Sequence, residues 1–360
     1  MILYATDIDR TKRTVIDTYT SVEWEPSYNK EGNFELQLPK ALADKIDFGM
    51  IIENSNDPTF QAFATYKEYS TAGGINSDVV IKGHFFIYKL YYRFVEGIEF
   101  TDTAFDTVIQ SMLQPFKSGS RSFGRDLNVK YQDESIKSMK VDVKAENENL
   151  MNVVLELCQQ LDVGVNLVLE DDGSMTLSFY SGEDKSDKVI VSLDMDTASE
   201  VMYYKDTANV GNYFYVLGQS SKEGETIVFE FWLDDSDPSD STERSEVFVD
   251  LSDISRKDKN GGEIPLDQYK DILWAKLMTN VDGVLGEEEL ESKIPNEYQG
   301  AYGTEYKMGD IITQEFKELS ILMKSKITSV SQSWGEGGYE MTLTCVNKGR
   351  PNKGGALVNG

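Results

Sequence analysis

The sequence predicts a β-rich α+β fold spread over more than one domain, and three observations carry that reading. Short stretches of alternating apolar and polar residues recur along most of the chain, the period-two pattern of half-buried strands. Only three stretches change to helical spacing. The 360 residues exceed one ordinary core, so two or more domains of about 100 to 200 residues are expected. With 40% hydrophobic and 11% aromatic residues against 8 prolines, the chain has the material to pack those cores.

The first element is a long β-hairpin. Ile16, Thr18, Thr20, Val22 and Trp24 alternate, Asn29 to Gly32 supplies turn residues, and Phe34, Leu36 and Leu38 alternate again. Short strands are expected at Met50 to Glu53, Thr59 to Tyr66, Asp78 to Lys82 and His84 to Arg93, spaced closely enough for a small barrel. A helix follows with Phe105, Val108, Ile109 and Met112 on one face, begun by the Thr103/Asp106 signal and ended by Pro115. A second helix carries Leu150, Val154, Leu157 and Leu161. It leads into a hairpin with Val163, Val165, Leu167 and Leu169 opposite Met175, Leu177 and Phe179, turned by Asp171-Asp172-Gly173.

Strands are next expected at Lys188 to Leu193, Tyr213 to Leu217, Thr226 to Leu233 and Glu246 to Leu251, with an exposed loop over Asp234 to Glu243. Pro265 opens a helix from Leu266 to about Leu285, with Tyr269, Leu273, Leu277 and Val284 near one face. The last strands are Asp310 to Thr313, Ser325 to Gln332 and Tyr339 to Val346, the final pair joined near Trp334 by Gly335 to Gly338. Residues 347–360 have little to bury and are expected to be mobile or to order only against a partner. No fixed-period repeat marks a solenoid or propeller.

Charge narrows the function. Lys and Arg total 35 against 62 Asp and Glu, a formal net charge of -27, which opposes binding to nucleic acid or anionic membranes. Such a surface keeps an abundant protein soluble, and it would also repel a passing polyanion. The two cysteines, Cys158 and Cys345, sit in apolar patterns as buried thiols, in keeping with a reducing compartment. No signal peptide or membrane span is expected.

Familiar chemistry is missing. The single histidine, His84, cannot build a histidine-rich metal site, and no nucleophile elbow accompanies it, so a strand residue is expected there. Cys158 has acidic neighbours and no base, which disfavours a reactive thiolate. No phosphate-binding glycine loop occurs. Asp235, Asp237 and Asp240 lack the glycine and closing glutamate of a calcium loop and read as a solvated acidic run. Catalytic, cofactor-binding and metal-ligating residues are therefore expected to be absent, and the chain is read as no enzyme. Carboxylates alone can form a glycosidase pair, so a rival reading is a carbohydrate-active or glycan-binding protein using acids with aromatics such as Trp232 and Trp274. A cell-surface adhesion module is a weaker third reading.

Several pieces, taken in order, carry a resemblance. Tyr19 to Pro39 reads YTSVEWEPSYNKEGNFELQLP, with Trp24, Tyr28, Gly32, Phe34, Leu36, Leu38 and Pro39 in the pattern. Gly49-Met50-Ile51-Ile52, Ile81-Lys82-Gly83 and Tyr92-Arg93 continue it. Phe179 to Ser186, FYSGEDKS, Asn212 to Gly218, NYFYVLG, and Tyr306 to Thr313, YKMGDIIT, follow, and the hairpin through Trp334 closes it. Together these resemble the siphophage tail-hub family, similar in fold to the central hub of contractile phage baseplates.

That resemblance implies two small β-barrel domains of phage tail-tube/hub type plus an inserted α+β domain. It places the first barrel at 1–100, a discontinuous middle domain at 101–185 and 220–305, the second barrel at 186–219 and 306–346, and a flexible tail at 347–360. Trp24, Phe34, Gly83 and Trp334 become architectural residues. The implied role is a virion structural protein of the tail tip, assembled in the bacterial host cytoplasm. A homotrimer would present six pseudo-equivalent units to a hexameric tail tube. Its implied partners are the distal tail protein, the tail tube, the tape-measure protein and a tip fibre or receptor-binding protein, with DNA passing through the lumen without specific binding. Lytic or adhesive activity would come from another protein.

Overall fold

The computed structural model describes residues 1–70, 78–145, 147–205, 211–220, 225–233, 244–257, 261–280, 288–347 and 353–359. The chain divides into two compact units, Met1–Met202 with Leu290–Val346, and Tyr203–Glu289 with Asn347–Gly360. The division falls at other places than those the sequence marked, since 101–185 lies in the first unit and most of 220–305 in the second.

In the first unit β1 (Leu3–Thr6) pairs with β2 (Arg13–Ile16), and β3 (Ser21–Glu25) pairs with β4 (Asn33–Pro39). The opening hairpin is shorter than its alternation implies, because Ile16 sits opposite Leu3 in β2. Trp24 faces Phe34 and Val22 faces Leu36, all buried. A short helix α1 (Lys40–Ala43) precedes the antiparallel strands β5 (Ile51–Asn54), β6 (Asp57–Tyr69) and β7 (Asp78–Phe85). Gly83 meets a bulge in β6, where a Cβ would stand 1.6 Å from the Phe63 carbonyl oxygen. The strand expected over His84 to Arg93 stops at Phe85. Phe86–Tyr92 winds into a 3-10 helix instead, since that spacing buries Phe86, Ile87 and Leu90 together.

Next come β8 (Phe94–Val95), β9 (Ile98–Ala104) and α2 (Phe105–Lys117). Thr103 does not cap α2. It pairs with Val141 inside β9, and Ala104 takes the cap position. Pro115 does not end the helix either: it runs on to Lys117, with the buried Phe116 packed against Phe123. Then follow β10 (Leu127–Tyr131), α3 (Ser135–Ser138), β11 (Lys140–Ala145), β12 (Glu148–Asn149) and α4 (Leu150–Leu161). The Asn149 side chain accepts from the Met151 and Asn152 amides at the start of α4. The hairpin of β13 (Gly164–Leu169) and β14 (Met175–Tyr180) forms as its alternation implies, with Leu167 opposite Leu177 and Gly173 left-handed in the turn.

After β15 (Ile190–Ser192) and β16 (Glu200–Lys205) the chain enters the second unit. There β17 (Tyr213–Gln219), β18 (Thr226–Leu233) and β19 (Glu246–Asp250) pack Phe214, Val216, Phe229 and Phe231 against Tyr269, Leu273 and Leu277 of α5 (Leu266–Asn280). The Asp234 to Glu243 loop and the expected end of α5 near Leu285 lie outside the described residues. The chain continues through β20 (Glu288–Ile294), β21 (Ile311–Phe316), β22 (Ile321–Gly335) and β23 (Gly338–Asn347). Part of the expected mobile tail forms a last strand, β24 (Lys353–Asn359), because β18 offers it an unpaired backbone edge.

One sheet of 13 strands runs in the order β16-β20-β23-β22-β3-β4-β7-β6-β5-β1-β2, with β21 beside β22 and β15 beside β21. No pairing among the described residues closes either half into a barrel. Five strands recur, however. In both β3 to β7 and the set β16, β20, β21, β22, β23, the first, second, fifth, fourth and third strands lie side by side. Gly49 and Gly309, both left-handed, precede Ile51-Ile52 and Ile311-Ile312 at the start of the third strand of each set. The fourth strand bulges at Ala64/Tyr66 in one set and at Ile327/Ser329 in the other. The outer neighbours differ, since β1 runs antiparallel to β5 and β15 parallel to β21.

Candidate functional site

Three of the segments singled out in the sequence meet at one point of the first unit. Tyr28, just past β3, is almost fully buried, and its ring packs edge-on against Tyr180 at 5.5 Å. Its hydroxyl donates to the Asp162 carbonyl (3.0 Å) and accepts from the Gly182 amide (3.3 Å). Burial, and secondarily the Asp162 carboxylate, hold that phenol well above its ordinary pKa. The Tyr28 backbone bonds β22 through Thr328 (2.8 Å) and β13 through Val165 (2.9 Å). One residue thus ties the opening hairpin to two distant elements.

Glycines make the room. A Cβ on Gly164 or Gly309 would overlap the Tyr28 ring at 2.6 and 2.3 Å, and one on Gly182 would fall 1.8 Å from the Gly309 carbonyl oxygen. Beside them Asp310 is wholly buried. It accepts from the Glu183 amide (2.8 Å) and the Lys307 amide (3.0 Å) and pairs with Lys185 at 3.2 Å. Lys185 also donates to the Glu305 carbonyl, and Lys326 pairs with Asp162. The other buried carboxylate among the described residues, Glu53, pairs with Arg10 at 2.8 Å. Buried acids that are fully partnered by cations and amides hold strands in place. The sequence marked the segments around Asp310 and Lys185 but not their meeting.

The exposed face of the sheet is acidic. Across β22, β3, β4, β7 and β6, Ser333, Glu23, Glu35, Lys82 and Tyr66 stand in one cross-strand row. Glu23, Glu35, Lys82 and Tyr66 of this row, with Glu25, Asn33 and Glu68, line a shallow trough of about 600 Å³. Glu23 lies opposite Glu35, a repulsive pair in isolation. The Ser331 hydroxyl on Glu23 (2.8 Å) and the Lys82 ammonium on Glu35 (2.7 Å) relieve it.

The remaining expectations also find their places. His84 lies in β7 and stacks on Tyr88 at 4.4 Å, with no hydrogen bond to its buried Nδ1. Trp24 is buried among Phe34, Phe60 and Phe85, and Trp334 stacks on Tyr339. Trp232 and Trp274 form no joint platform. Trp274 packs against Phe231, whereas Trp232, the next residue of β18, stacks on Tyr213 on the opposite face. Among the described residues no group of three His, Cys, Asp or Glu side chains is placed to hold a metal ion. Asp235, Asp237 and Asp240 lie outside them. No described helix is long and apolar enough to cross a membrane.

The family model described as siphovirus ReqiPepy6 Gp37-like protein matches residues 2–345. No curated protein sequence matches the chain. Among solved structures, a tail protein from Neisseria meningitidis MC58 is similar at a TM-score of 0.62 and 12% identity, with 97% of each chain covered. The 43 kDa tail protein of prophage MuSo2 from Shewanella oneidensis is similar at 0.61 and 11%, covering 96% of this chain and 98% of that one. The prophage tail protein gp18 of Listeria monocytogenes EGD-e is similar at 0.54 and 12%, with 95% and 94% covered.

Proposed function

The chain belongs to the siphovirus ReqiPepy6 Gp37-like protein family, and from that membership we propose that it is the structural hub at the distal end of a phage or prophage tail. Three copies form a ring in which each contributes two small barrel-like halves, giving six similar units beneath a hexameric tail tube. The recurrence of the same five-strand order in β3 to β7 and in β16 with β20 to β23 is the observation that carries this reading. A chain that presents one motif twice can meet a six-fold tube with three-fold symmetry.

The exposed row of Glu23 and Glu35, with Glu25 and Glu68 nearby, faces the channel in this arrangement. Fixed negative charge along the wall lets a polyanion slide past without adhering. The hub joins the tube and distal tail protein above to a tip fibre or receptor-binding protein below, and it receives the end of the tape-measure protein. The chain has a scaffolding role and catalyses nothing itself. Its ion-paired buried acids and the separated tryptophans support that part of the reading.

Immunogold labelling of intact virions tests the proposal. An antibody against the chain is expected to mark only the tail tip, and labelling along the tube or on the capsid would overturn it.

A further inference from the structure

We infer that a small cavity of the first unit, lined in part by Lys89, binds a carboxylate that another protein presents beside an apolar or aromatic side chain. The inference goes beyond the hub reading and does not depend on it.

The cavity lies where β6 meets the 3-10 helix Phe86–Tyr92 and the turns that hold Ile8 and Phe48. Its volume is about 260 Å³. Pockets for drug-sized ligands begin near roughly 300 Å³, so this one takes a group of side-chain size. Ile8, Phe48, Phe63 and Tyr92 give it largely apolar walls, and the one charged residue among its lining is Lys89. The 3-10 geometry puts Lys89 there, because residues three apart lie above one another. Phe86 stacks on the Phe63 ring at 5.0 Å, and the Lys89 Nζ, one turn on, stands 5.4 Å from the centre of the same ring.

This ammonium lacks an acid. Among the described residues no carboxylate lies within 4.0 Å of it, and it donates no hydrogen bond. Its companions are the Phe63 ring and, at 5.9 Å, the Tyr92 ring. Burial, and after it the Arg93 and Arg125 guanidiniums, hold its pKa below the ordinary lysine value. Arg93 donates only to carbonyls, those of Tyr92 (3.0 Å), Arg121 (3.2 Å) and Ser122 (3.3 Å). Arg125 bonds the Ile8 carbonyl (2.8 Å) and pairs with Asp9 (2.8 Å), whereas Asp47, beside Phe48, pairs with Lys12 (3.3 Å). Lys89, Arg93 and Arg125 thus share one exposed carboxylate, in a chain where 62 acids face 35 bases. A half-buried cation among cations is costly until an anion joins it.

The occupant is a polypeptide because the apolar surface runs on past the cavity. Phe48 is 65% exposed and Tyr92 55%, and Tyr91, whose ring lies 6.2 Å from that of Tyr92, is 45% exposed. Aromatic side chains with arginine beside them are the composition of protein interfaces. Charge sets the rest of the match. A chain of net charge -27 repels a strongly acidic partner, so the segment that enters carries a single acid among apolar residues.

The test is a selection of random heptapeptides on the full chain and, in parallel, on Lys89→Met. Peptides with one Asp or Glu next to an aromatic or aliphatic residue are expected to be enriched on the wild type and not on the variant. Changing that acid to its amide in an enriched peptide is expected to weaken binding at least about tenfold. No enrichment, enrichment without an acid, or the same peptides on both proteins would overturn the inference. Phenylacetate binding as tightly as the peptide would also overturn it, by making a free acid the ligand. So would self-association that Lys89→Met abolishes, since a second copy would then be the occupant. The variant replaces an unpaired cation with an apolar chain of similar shape, so its thermal midpoint is expected to equal or exceed that of the wild type. A lower midpoint would show that the ammonium already has its partner within the chain.

Discussion

Tyr28 and Gly309 share one volume of the molecule: a single carbon added to Gly309 would lie 2.3 Å from the Tyr28 ring. Gly309 also holds a φ of +92°, which favours glycine. Strain and overlap therefore act together at the point where β3, β13 and β21 are tied.

Gly309→Ala is expected to lower stability by about 3 kcal/mol or more, because overpacking and the left-handed backbone both add to the cost. Tyr28→Phe keeps the ring and removes the hydroxyl, leaving the Gly182 amide and Asp162 carbonyl without it, at a cost of about 1–3 kcal/mol. Urea denaturation of both variants measures the difference. Equal stabilities for wild type and Gly309→Ala would show that the joint is not close-packed.

Gly83 offers a sharper contrast. With the Phe63 carbonyl oxygen 1.6 Å from the position of a Cβ, Gly83→Ala must break the β6–β7 bulge. Gly97→Ala, where nothing lies within 4 Å, is expected to stay within about 0.5 kcal/mol of wild type. Comparing soluble yield and thermal midpoint for the two decides the matter.

Buried phenols set the alkaline limit. Tyr28, Tyr131, Tyr180, Tyr302 and Tyr306 are all raised above the ordinary phenol value by burial, and Tyr339 is pushed up to about 12. A raised folded-state pKa contributes stability that is complete below the unfolded value of about 10 and is lost as pH rises through the folded values. Absorbance at 295 nm is expected to show some tyrosines titrating smoothly near pH 10 and the rest appearing in one step with unfolding at higher pH. Smooth titration of every tyrosine in a folded protein would contradict this.

Burial also raises the Cys158 thiol, which therefore stays protonated and shielded near pH 8. Cys345 is equally inaccessible. Iodoacetamide is expected to modify neither in the native protein and both in denaturant, as read by intact mass.

Assembly should respond to salt. Chains of net charge -27 repel one another at low ionic strength. The trimer fraction at fixed concentration is expected to rise between about 10 and 150 mM salt, a range over which the Debye length shrinks several-fold. Sedimentation velocity reads it directly, and a fall with salt would show that ion pairs between chains dominate instead.

Much of this architecture was legible in the sequence because its strands alternate cleanly, as around Trp24, Phe34 and Leu36, or run into an unambiguous turn, as at Asp171-Asp172-Gly173. Other elements were hidden for physical reasons. His84 to Tyr92 carries apolar residues at nearly every position, so its period could not separate a strand from a 3-10 helix. The strands β16 and β20 mix charged and apolar residues and are interrupted by the whole second unit, which conceals their likeness to β3 and β4. The joint of Tyr28, Asp162, Gly182 and Gly309 lies beyond any local pattern, since its members are brought together by the pairing of strands far apart in the chain.

The central claim is a ring of three chains that behaves as six similar units, and electron cryomicroscopy of the purified protein tests it most directly. Class averages are expected to show three-fold rings with an open centre and six similar lobes around it. Particles that remain single chains, or that pair as two-fold dimers without a channel, would contradict it.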